Sequence, residues 1–235
     1  SVNSVYQNDG FGNLSYNVPL MNTETTVESD NSGNYGAIWI DVDNDHDNDL
    51  YISKCRQGIL DINDPRRLNQ LFINDGNNNF TEEAEARGLL PMAQSWCTDF
   101  ADIDNDGDLD AFVLNHDTTN RLYENDGNGN FTDITAGAGF SPAIDNLGLG
   151  IQVKFADFDN DTYVDLVMTS SQGGYKFFRN NGNKTFTIIF GAFQTLTFKM
   201  QSMAIGDLNN DGFTDLLAGF GSFFNSPNEE PDKLF

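Results

Sequence analysis

The sequence is poor in basic residues, and this limits the partners that it can have. Of its 235 residues, 12 are Lys or Arg and 36 are Asp or Glu, which gives a formal net charge of −24. Such a charge repels nucleic acid and anionic membrane surfaces and attracts cations. We therefore expect no nucleic acid among the partners.

Long apolar segments are also missing. No run approaches the roughly 20 apolar residues that a membrane-spanning helix needs, and no basic segment followed by an apolar one opens the chain. Membrane insertion is therefore not expected, and an exported chain would already have lost its leader.

Catalytic residue types are scarce. His46 and His116 are the only histidines, neither stands near a Cys or Ser at a telling spacing, and no G-x-S-x-G motif occurs. We expect both to be surface or turn residues, and Trp39 and Trp96 to pack in the core. The sequence therefore favours a protein that is not an enzyme.

Aromatic residues are abundant by contrast. The chain has 20 Phe, and 38% of its residues are apolar, whereas a disordered acidic segment lacks such residues. The acidic residues therefore belong to a folded protein.

One Asp-rich motif occurs four times. It reads DVDNDHDND from Asp41, DIDNDGDLD from Asp102, DFDNDTYVD from Asp157 and DLNNDGFTD from Asp207, so the starts are 61, 55 and 50 residues apart. A second motif alternates with it, as in LFINDGNNNFT, LYENDGNGNFT and FFRNNGNKTFT, and a related VYQNDGFGNLS opens the chain. The sequence is thus a tandem repeat.

Each repeat predicts four short strands. One strand precedes the Asp motif, one follows it, and the Asn-Asp-Gly of the second motif indicates a hairpin between the third and fourth. Units of four strands at such a period are typical of β-propeller blades, whereas a β-sandwich, the alternative, does not repeat in sequence. We predict an all-β propeller with residues 34–90, 95–140, 148–190 and 200–235 as repeats of a single domain over 1–235. One helical turn, ended by Gly88, is expected in TEEAEARGLL.

The Asp motifs are predicted metal loops between the first and second strands. Clustered carboxylates repel one another unless a cation binds, and a shell of oxygen ligands suits calcium. The spacing follows an EF-hand loop at positions one, three and five, but the last carboxylate falls at position nine, and strands replace the flanking helices. Position seven would supply a backbone carbonyl. The predicted ligands are Asp41, Asp43, Asp45, Asp47 and Asp49 in loop 1; Asp102, Asp104, Asp106, Asp108 and Asp110 in loop 2; Asp157, Asp159, Asp161, Tyr163 and Asp165 in loop 3; and Asp207, Asn209, Asp211, Phe213 and Asp215 in loop 4.

About four calcium ions are thus expected, in a structural role. Asp, Asn and Gly are also common in solvated turns, but four copies in one register favour metal. Position six is Gly in loops 2 and 4 and His46 or Thr162 in loops 1 and 3, so we expect these two loops to be weaker or slightly distorted.

These motifs resemble a known family. FADIDNDGDLDAFV followed by NRLYENDGNGNFTDIT is similar to the FG-GAP/VCBS repeat of integrin α-chain propellers and many secreted proteins, and FTDITAGAGF is similar to repeats related to cartilage acidic protein. The resemblance implies a β-propeller, calcium in the Asp loops and an extracellular or cell-surface location. It does not imply one activity, and family propellers have about seven blades where four loops are present here.

The first residues match the outer part of a blade, and the last match the start of a third strand. We favour completion of blade four of the same ring by residues 1–20. The alternatives are that the chain belongs to a longer array, or that residues 1–20 complete a blade of a neighbouring molecule and so form a filament. Three functions follow: an adhesion or structural scaffold, which we favour; a calcium-dependent lectin that binds glycan between blades; and a polysaccharide-active enzyme. The expected partner is a glycan or an extracellular protein.

Two kinds of covalent modification are also expected. Asn13, Asn79, Asn130 and Asn183 open N-x-Ser/Thr sequons, although the motif can equally be a feature of the hairpin. Cys55 ends a second strand and Cys97 begins the first strand of the next repeat. These positions share a rim of neighbouring blades, so a disulfide is predicted, with two buried free thiols as the alternative.

The inner strands predict contacts between blades. Trp39, Phe100, Phe155 and Ile205 stand two residues before each loop, and Ile38, Asp99, Lys154 and Ala204 three residues before it. Because side chains alternate along a strand, the apolar set should pack between blades. Asp99 and Lys154 should approach each other, or each should pair with another polar group.

Overall fold

The computed structural model describes residues 4–17, 20–21, 23, 25–27, 33–140, 150–170, 174–193, 200–220 and 233–234. Within these ranges the chain forms antiparallel sheets that follow the order of the repeats. The strands are β1 Tyr6–Asn8, β2 Leu14–Tyr16, β3 Gly33–Ile40, β4 Asp49–Cys55, β5 Gln70–Asn74, β6 Phe80–Glu82, β7 Ser95–Ala101, β8 Asp110–Asn115, β9 Arg121–Asn125, β10 Phe131–Asp133, β11 Gly150–Ala156, β12 Asp165–Ser170, β13 Tyr175–Asn180, β14 Phe186–Ile189, β15 Met200–Gly206, β16 Asp215–Phe220 and β17 Lys233–Leu234. Sheet 1 has the order β3-β4-β5-β6, sheet 2 β7-β8-β9-β10, sheet 3 β11-β12-β13-β14 and sheet 4 β15-β16-β17.

The all-β prediction is confirmed. Three of these sheets have the four strands that the repeats predict, each joined by successive hairpins, as in propeller blades. The single helical turn is also present: Arg87 N–H donates to Glu83 O, and Gly88 ends the turn with a φ of 77°. No helix in the described ranges has the length and apolar character needed to cross a membrane.

Each first strand carries a bulge that the sequence did not reveal. The strand register shifts between Asn34 and Gly36, between Ser95 and Cys97, between Gly150 and Val153, and between Met200 and Ser202. A bulge adds one residue to one strand and increases its twist. The same irregularity in all four sheets is therefore part of the repeat.

The main apolar cores lie between neighbouring sheets. Phe100 of sheet 2 packs against Tyr51 of sheet 1, with ring centroids 5.6 Å apart, and Phe155 of sheet 3 packs against Phe112 of sheet 2 at 6.4 Å. The predicted packing between blades is thus confirmed for these two residues. Trp39 differs, because it is 49% exposed and contacts Phe80 of its own sheet.

The predicted approach of Asp99 and Lys154 is also confirmed. Lys154 Nζ lies 2.7 Å from Asp99 Oδ1, and the Phe155 N–H donates to Asp99 Oδ2 at 2.8 Å. Burial raises the pKa of Asp99, and the contact with Lys154 counteracts this. The carboxylate therefore joins the first strands of sheets 2 and 3.

The predicted disulfide between Cys55 and Cys97 is not formed, and both cysteines are free thiols. Alternation along the strands gives the reason. Ser53 Oγ and Thr98 Oγ1 face each other across sheets 1 and 2 at 2.9 Å, so the residue next to Thr98 points the other way. Accordingly, Cys97 Sγ lies 4.0 Å from Val153 O of sheet 3, away from Cys55.

The N-terminal strands form a separate hairpin. Strands β1 (Tyr6–Asn8) and β2 (Leu14–Tyr16) pair with each other, and among the described residues neither pairs with β17. Val5 and Met21 instead pack against the face of sheet 1 that carries Leu50. In the described part of the chain, residues 1–20 therefore do not complete blade four. That they complete a blade of a neighbouring molecule stays a prediction.

Candidate metal centre

The Asp motifs form loops between the first and second strands of their sheets, as predicted. In each of loops 1 to 3, three carboxylates bring one oxygen apiece within 4.8 Å of one another. Loop 4 has Asn209 at position three, and within the described ranges it forms no such group of three acids. The groups are Asp41, Asp43 and Asp45; Asp102, Asp104 and Asp110; and Asp157, Asp159 and Asp165.

Several of these oxygens have no protein partner. Asp41 Oδ1, Asp43 Oδ1 and Asp104 Oδ1 are buried without a hydrogen bond. An unpartnered buried carboxylate oxygen is costly, and a hard divalent cation with oxygen ligands would satisfy it. The residues of loops 1 and 2 therefore fit a calcium ion, and those of loop 3 present the same arrangement.

The four loops turn in the same way whether or not position six is Gly. In every loop the N–H of position six donates to the position-one carboxylate at 2.9–3.0 Å. His46 and Thr162 adopt φ values of 73° and 78°, in the left-handed region that Gly107 and Gly212 also occupy. The predicted distortion of loops 1 and 3 therefore does not affect this hydrogen bond. A residue other than Gly is nevertheless strained at such a positive φ.

The last aspartate of each loop also has a structural role. Asp110 Oδ2 accepts the Ile103 N–H, and Asp110 Oδ1 accepts the Asn125 N–H from the third strand. Asp49 and Asp165 make the same two bonds in sheets 1 and 3. Burial raises the pKa of Asp49, Asp110 and Asp165 to about 6, 7 and 6.

Position seven was predicted to contribute a backbone carbonyl, and its side chain turns towards the hairpin of the same sheet. A Cβ added to Gly76 would lie 2.6 Å from Asp47 Oδ2, and one added to Gly127 would lie 2.5 Å from Asp108 Oδ2. Tyr163 occupies the corresponding place in sheet 3, whereas Phe213 is 56% exposed. The side chain at this position therefore packs on the hairpin and leaves the carbonyl as the candidate ligand.

A basic side chain contacts the position-three aspartate in each of loops 1 to 3. Arg87 Nη2 lies 3.3 Å from Asp43 Oδ2, Lys184 Nζ 2.6 Å from Asp104 Oδ2 and Arg179 Nε 2.7 Å from Asp159 Oδ2. Lys184 also contacts Glu124, and its hydrogen bonds with Asp104 and Glu124 raise its pKa above the ordinary range. The spacing of the motifs does not predict these contacts, because the bases stand far from the loops along the chain.

Asparagines of the second motif join neighbouring sheets. The sequence had predicted only that they form hairpin turns. Asn125 Nδ2 donates to Val42 O in the preceding loop at 2.8 Å, and Asn180 Nδ2 donates to Ile103 O at 2.7 Å. The repetition of Asn before the hairpin was the available signal. Loops 1 and 2 are thereby held against the hairpins of sheets 2 and 3.

The predicted glycosylation sites lie on exposed hairpin turns. The amides of Asn13, Asn79 and Asn130 donate to Asp9, Asp75 and Asp126 of the same turn, and Asn183 accepts from Thr185. The sequons therefore have a structural role in the turn, and their glycosylation stays a prediction.

The two histidines differ in their surroundings. His46 lies in loop 1 with its side chain 95% exposed, as expected. His116 lies in the bend that follows β8, as expected of a turn residue, but it is half-buried and stacked on Trp96. Its Nδ1 lies 4.0 Å from Cys55 Sγ, a contact that spacing along the sequence does not reveal. Cys55 is 2% exposed, and burial raises the pKa of its thiol and lowers that of His116, which disfavours a thiolate nucleophile.

Comparison with known proteins supports the repeat assignment. The profile of the FG-GAP-like repeat family matches residues 59–113, 102–168 and 157–218, which together cover more than half of the chain. No curated protein sequence matches the chain significantly. One similar solved structure is a lectin of Agrocybe aegerita described for specific recognition of non-reducing terminal N-acetylglucosamine.

The likeness to this lectin has a TM-score of 0.53 at 16% identity and covers 92% of this chain and 55% of the lectin chain. The chain thus spans about half the length of that protein, and the likeness concerns the fold alone. The sequence repeats and the sheets agree with the family match. The chain therefore belongs to the FG-GAP-like repeat family.

Proposed function

We propose that the chain is a calcium-stabilised β-propeller unit that acts as a non-catalytic scaffold for adhesion or assembly outside the cell. The observation that carries the proposal is the convergence of three carboxylates in each of loops 1 to 3, together with buried oxygens in loops 1 and 2 that have no protein partner. Calcium fits such flexible oxygen shells better than magnesium, which demands near-ideal octahedral geometry and keeps several waters.

Thermal denaturation with and without a chelator tests this proposal. Calcium that binds only the folded chain stabilises it by mass action, so EGTA should lower the Tm and excess calcium should restore it. Asp104→Asn should reduce the calcium-dependent shift, whereas Asp61→Asn, an exposed acid outside the loops, should leave it unchanged. An unchanged Tm in EGTA would contradict the proposal.

The non-catalytic part of the proposal is supported by the titratable groups. The Cys55–His116 pair has the composition of a nucleophile and its base, but burial shifts both pKa values towards the neutral forms. Lys154 is engaged by Asp99. Screening for polysaccharide cleavage, with Lys154→Met as a variant, tests this part; an activity lost in that variant would overturn it.

A lectin is the second candidate, and one cavity favours it. It measures about 350 Å³ and lies between sheets 3 and 4, where Phe158, Phe177 and Phe193 form apolar walls beside Arg179 and Asp159. Aromatic walls with a few polar groups are typical of small-ligand sites, and the similar fungal lectin recognises terminal N-acetylglucosamine. A glycan array followed by calorimetry with N-acetylglucosamine tests the candidate, with Phe158→Ala expected to abolish any binding.

An extracellular location is part of the proposal and is supported by the family resemblance. Head-to-tail assembly is supported by the half-exposed Trp39 on sheet 1, on the face that in sheets 2 and 3 packs against the preceding sheet. Negative-stain imaging of native material separates a filament from a single propeller.

A further inference from the structure

The bases that contact position three suggest a rule for the charge of the loops. Counting positions one, three, five and nine, loops 1, 2 and 3 each carry four carboxylates, and loop 4 carries three because Asn209 replaces the second. Arg87, Lys184 and Arg179 contact the position-three acid of loops 1, 2 and 3. In the part of the chain that the structure describes, no ion pair reaches loop 4. Position three is thus either neutral or paired with a base in all four loops, and each base also contacts a second carboxylate: Glu83 for Arg87, Glu124 for Lys184 and Asp161 for Arg179.

In loops 1 and 2 the base that contacts position three comes from different places in the repeat. Lys184 stands in the hairpin of sheet 3, with a φ of 65°, and reaches back to loop 2. The equivalent residue of sheet 2 is Gly129, with a φ of 74°, and a Cβ there would lie 2.5 Å from Arg87 Nη1 and 3.1 Å from Asp43 Cβ. A glycine therefore makes room for Arg87, which arrives from another segment and donates to Asn128 O. Different residues thus bring one cation to the same place.

We propose that Lys184 and Arg87 are affinity-determining residues, which hold the effective charge of loops 1 and 2 at the value that loop 4 reaches through Asn209. The inference rests on the proposed calcium binding. Lys184 occupies one oxygen of Asp104 and leaves the buried Oδ1 unpartnered, so the base and a bound cation can share this residue. A positive charge beside a divalent cation weakens its binding, and its removal should strengthen binding roughly tenfold, the effect of a close charge in a water-like dielectric.

The loop glycines allow each site to be observed separately. Gly107 of loop 2 and Gly212 of loop 4 donate their N–H to the position-one aspartates, so their amide resonances report on their own loops. In protein labelled with ¹⁵N-glycine, a calcium titration of Lys184→Gln should move the Gly107 midpoint to a roughly tenfold lower concentration, with Gly212 unchanged as an internal control.

A matched variant isolates the charge. Asp104→Asn with Lys184→Gln gives loop 2 the composition of loop 4, so its Gly107 midpoint should return towards that of the unmodified chain. Asn209→Asp adds an unneutralised fourth carboxylate to loop 4 and should tighten the Gly212 transition, and this second site tests the rule if Lys184→Gln folds poorly. A double-mutant cycle then gives the coupling between Asp104 and Lys184.

The outcomes separate this inference from the proposed function. If the glycine resonances respond to calcium but their midpoints are unchanged by both Lys184→Gln and Asn209→Asp, the charge rule is overturned and the calcium function remains intact. Weaker calcium binding in Lys184→Gln also overturns the rule, because the base would then support the site. Glycine resonances that do not respond to calcium in the unmodified chain overturn the proposed function and this inference with it.

Discussion

At the scale of single residues, position six decides how much strain each loop stores. His46 holds a φ of 73° with its side chain 95% exposed, where loop 2 has Gly107 at 96°. Only Gly adopts this region without a steric penalty. The two loops nevertheless make the same hydrogen bond to position one, so the bond compensates for the strain in loop 1.

A reciprocal pair of substitutions should reveal this strain. His46→Gly should stabilise the protein by about 0.5–1 kcal/mol, because it replaces a strained residue with an unstrained one, and Gly107→Ala should destabilise it by about 1 kcal/mol, because it does the reverse. Chemical denaturation in calcium and in EGTA measures both. A destabilised His46→Gly variant would show that the imidazole makes a needed contact.

The elements were predictable from the sequence where the signal is local. The strand GAIWI before loop 1 and the hairpins at Asn-Asp-Gly appear where the alternation and the turn residues place them. The features that could not be predicted are contacts between sheets. A bulge before Cys97 and the direction of its side chain decide against the disulfide, and neither can be read from strand propensity. Lys184 reaches Asp104 across 80 residues of sequence, so spacing carries no trace of the contact.

At the scale of elements, the Asn of the second motif is the joint between sheets. Asn125 Nδ2 donates to Val42 O and to Leu109 O, while Asn125 Oδ1 accepts the N–H groups of Gly127 and Gly129. Asparagine supplies the donor and the acceptor at once. The loop amide of Asn44 adds a second link by donating to Asp108 of the next loop.

Asn125→Asp tests the joint, because it preserves the acceptor, removes the donor and places a carboxylate beside the carbonyl groups. Two buried carbonyl groups would lose their partner beside a new charge, so the variant should lose about 2–4 kcal/mol. Asn74→Asp is the matched control: its amide makes only a 3.3 Å bond to Asn48 O of its own sheet, and its loss should be smaller. Equal losses in denaturant titrations would refute a special role between sheets.

The Asp99–Lys154 pair is a second joint, between β7 and β11. Lys154→Met should cost about 1 kcal/mol, because Asp99 keeps the Phe155 N–H and the side chain of Lys154 is 38% exposed, which weakens the pair. Asp99→Asn should cost more, since it disturbs both bonds. Denaturation of the two single variants and the double variant measures the coupling, and a coupling near zero would reduce the pair to a surface contact.

At the scale of the whole molecule, the stability of the protein should depend on pH in a direction that calcium changes. Burial raises the pKa of Asp49, Asp110 and Asp165 to about 6, 7 and 6, against about 3.9 in an unfolded chain. The folded chain therefore binds more protons in this interval. The stability that these groups contribute is fully present below about pH 4 and is lost as the pH rises through about 6 to 7.

In EGTA the Tm should consequently fall between about pH 4 and pH 7.5. Calcium binds the ionised carboxylates, so the gain in Tm from calcium should grow over the same interval. Relief of the −24 net charge acts in the same direction, and Asp110→Asn separates the two effects because it removes one buried titration with little change in net charge. A pH profile that is identical in this variant would assign the whole effect to net charge.

Self-association is the last property that the whole molecule should show. Phe100 and Phe155 pack on the preceding sheet, whereas the equivalent Trp39 is 49% exposed beside Phe80. Val5 and Met21 of the same chain cover the part of this face around Leu50, the cross-strand partner of Trp39. Trp39 itself remains a large exposed aromatic beside them, which favours contact with a second molecule. The mass measured by sedimentation should therefore rise with concentration, and Trp39→Ser should lower it. Leu60→Ser, which changes an 89% exposed apolar side chain between β4 and β5, is the control that should not. A monomer at every concentration, unaffected by Trp39→Ser, would contradict head-to-tail assembly and leave the calcium loops as the functional feature of the chain.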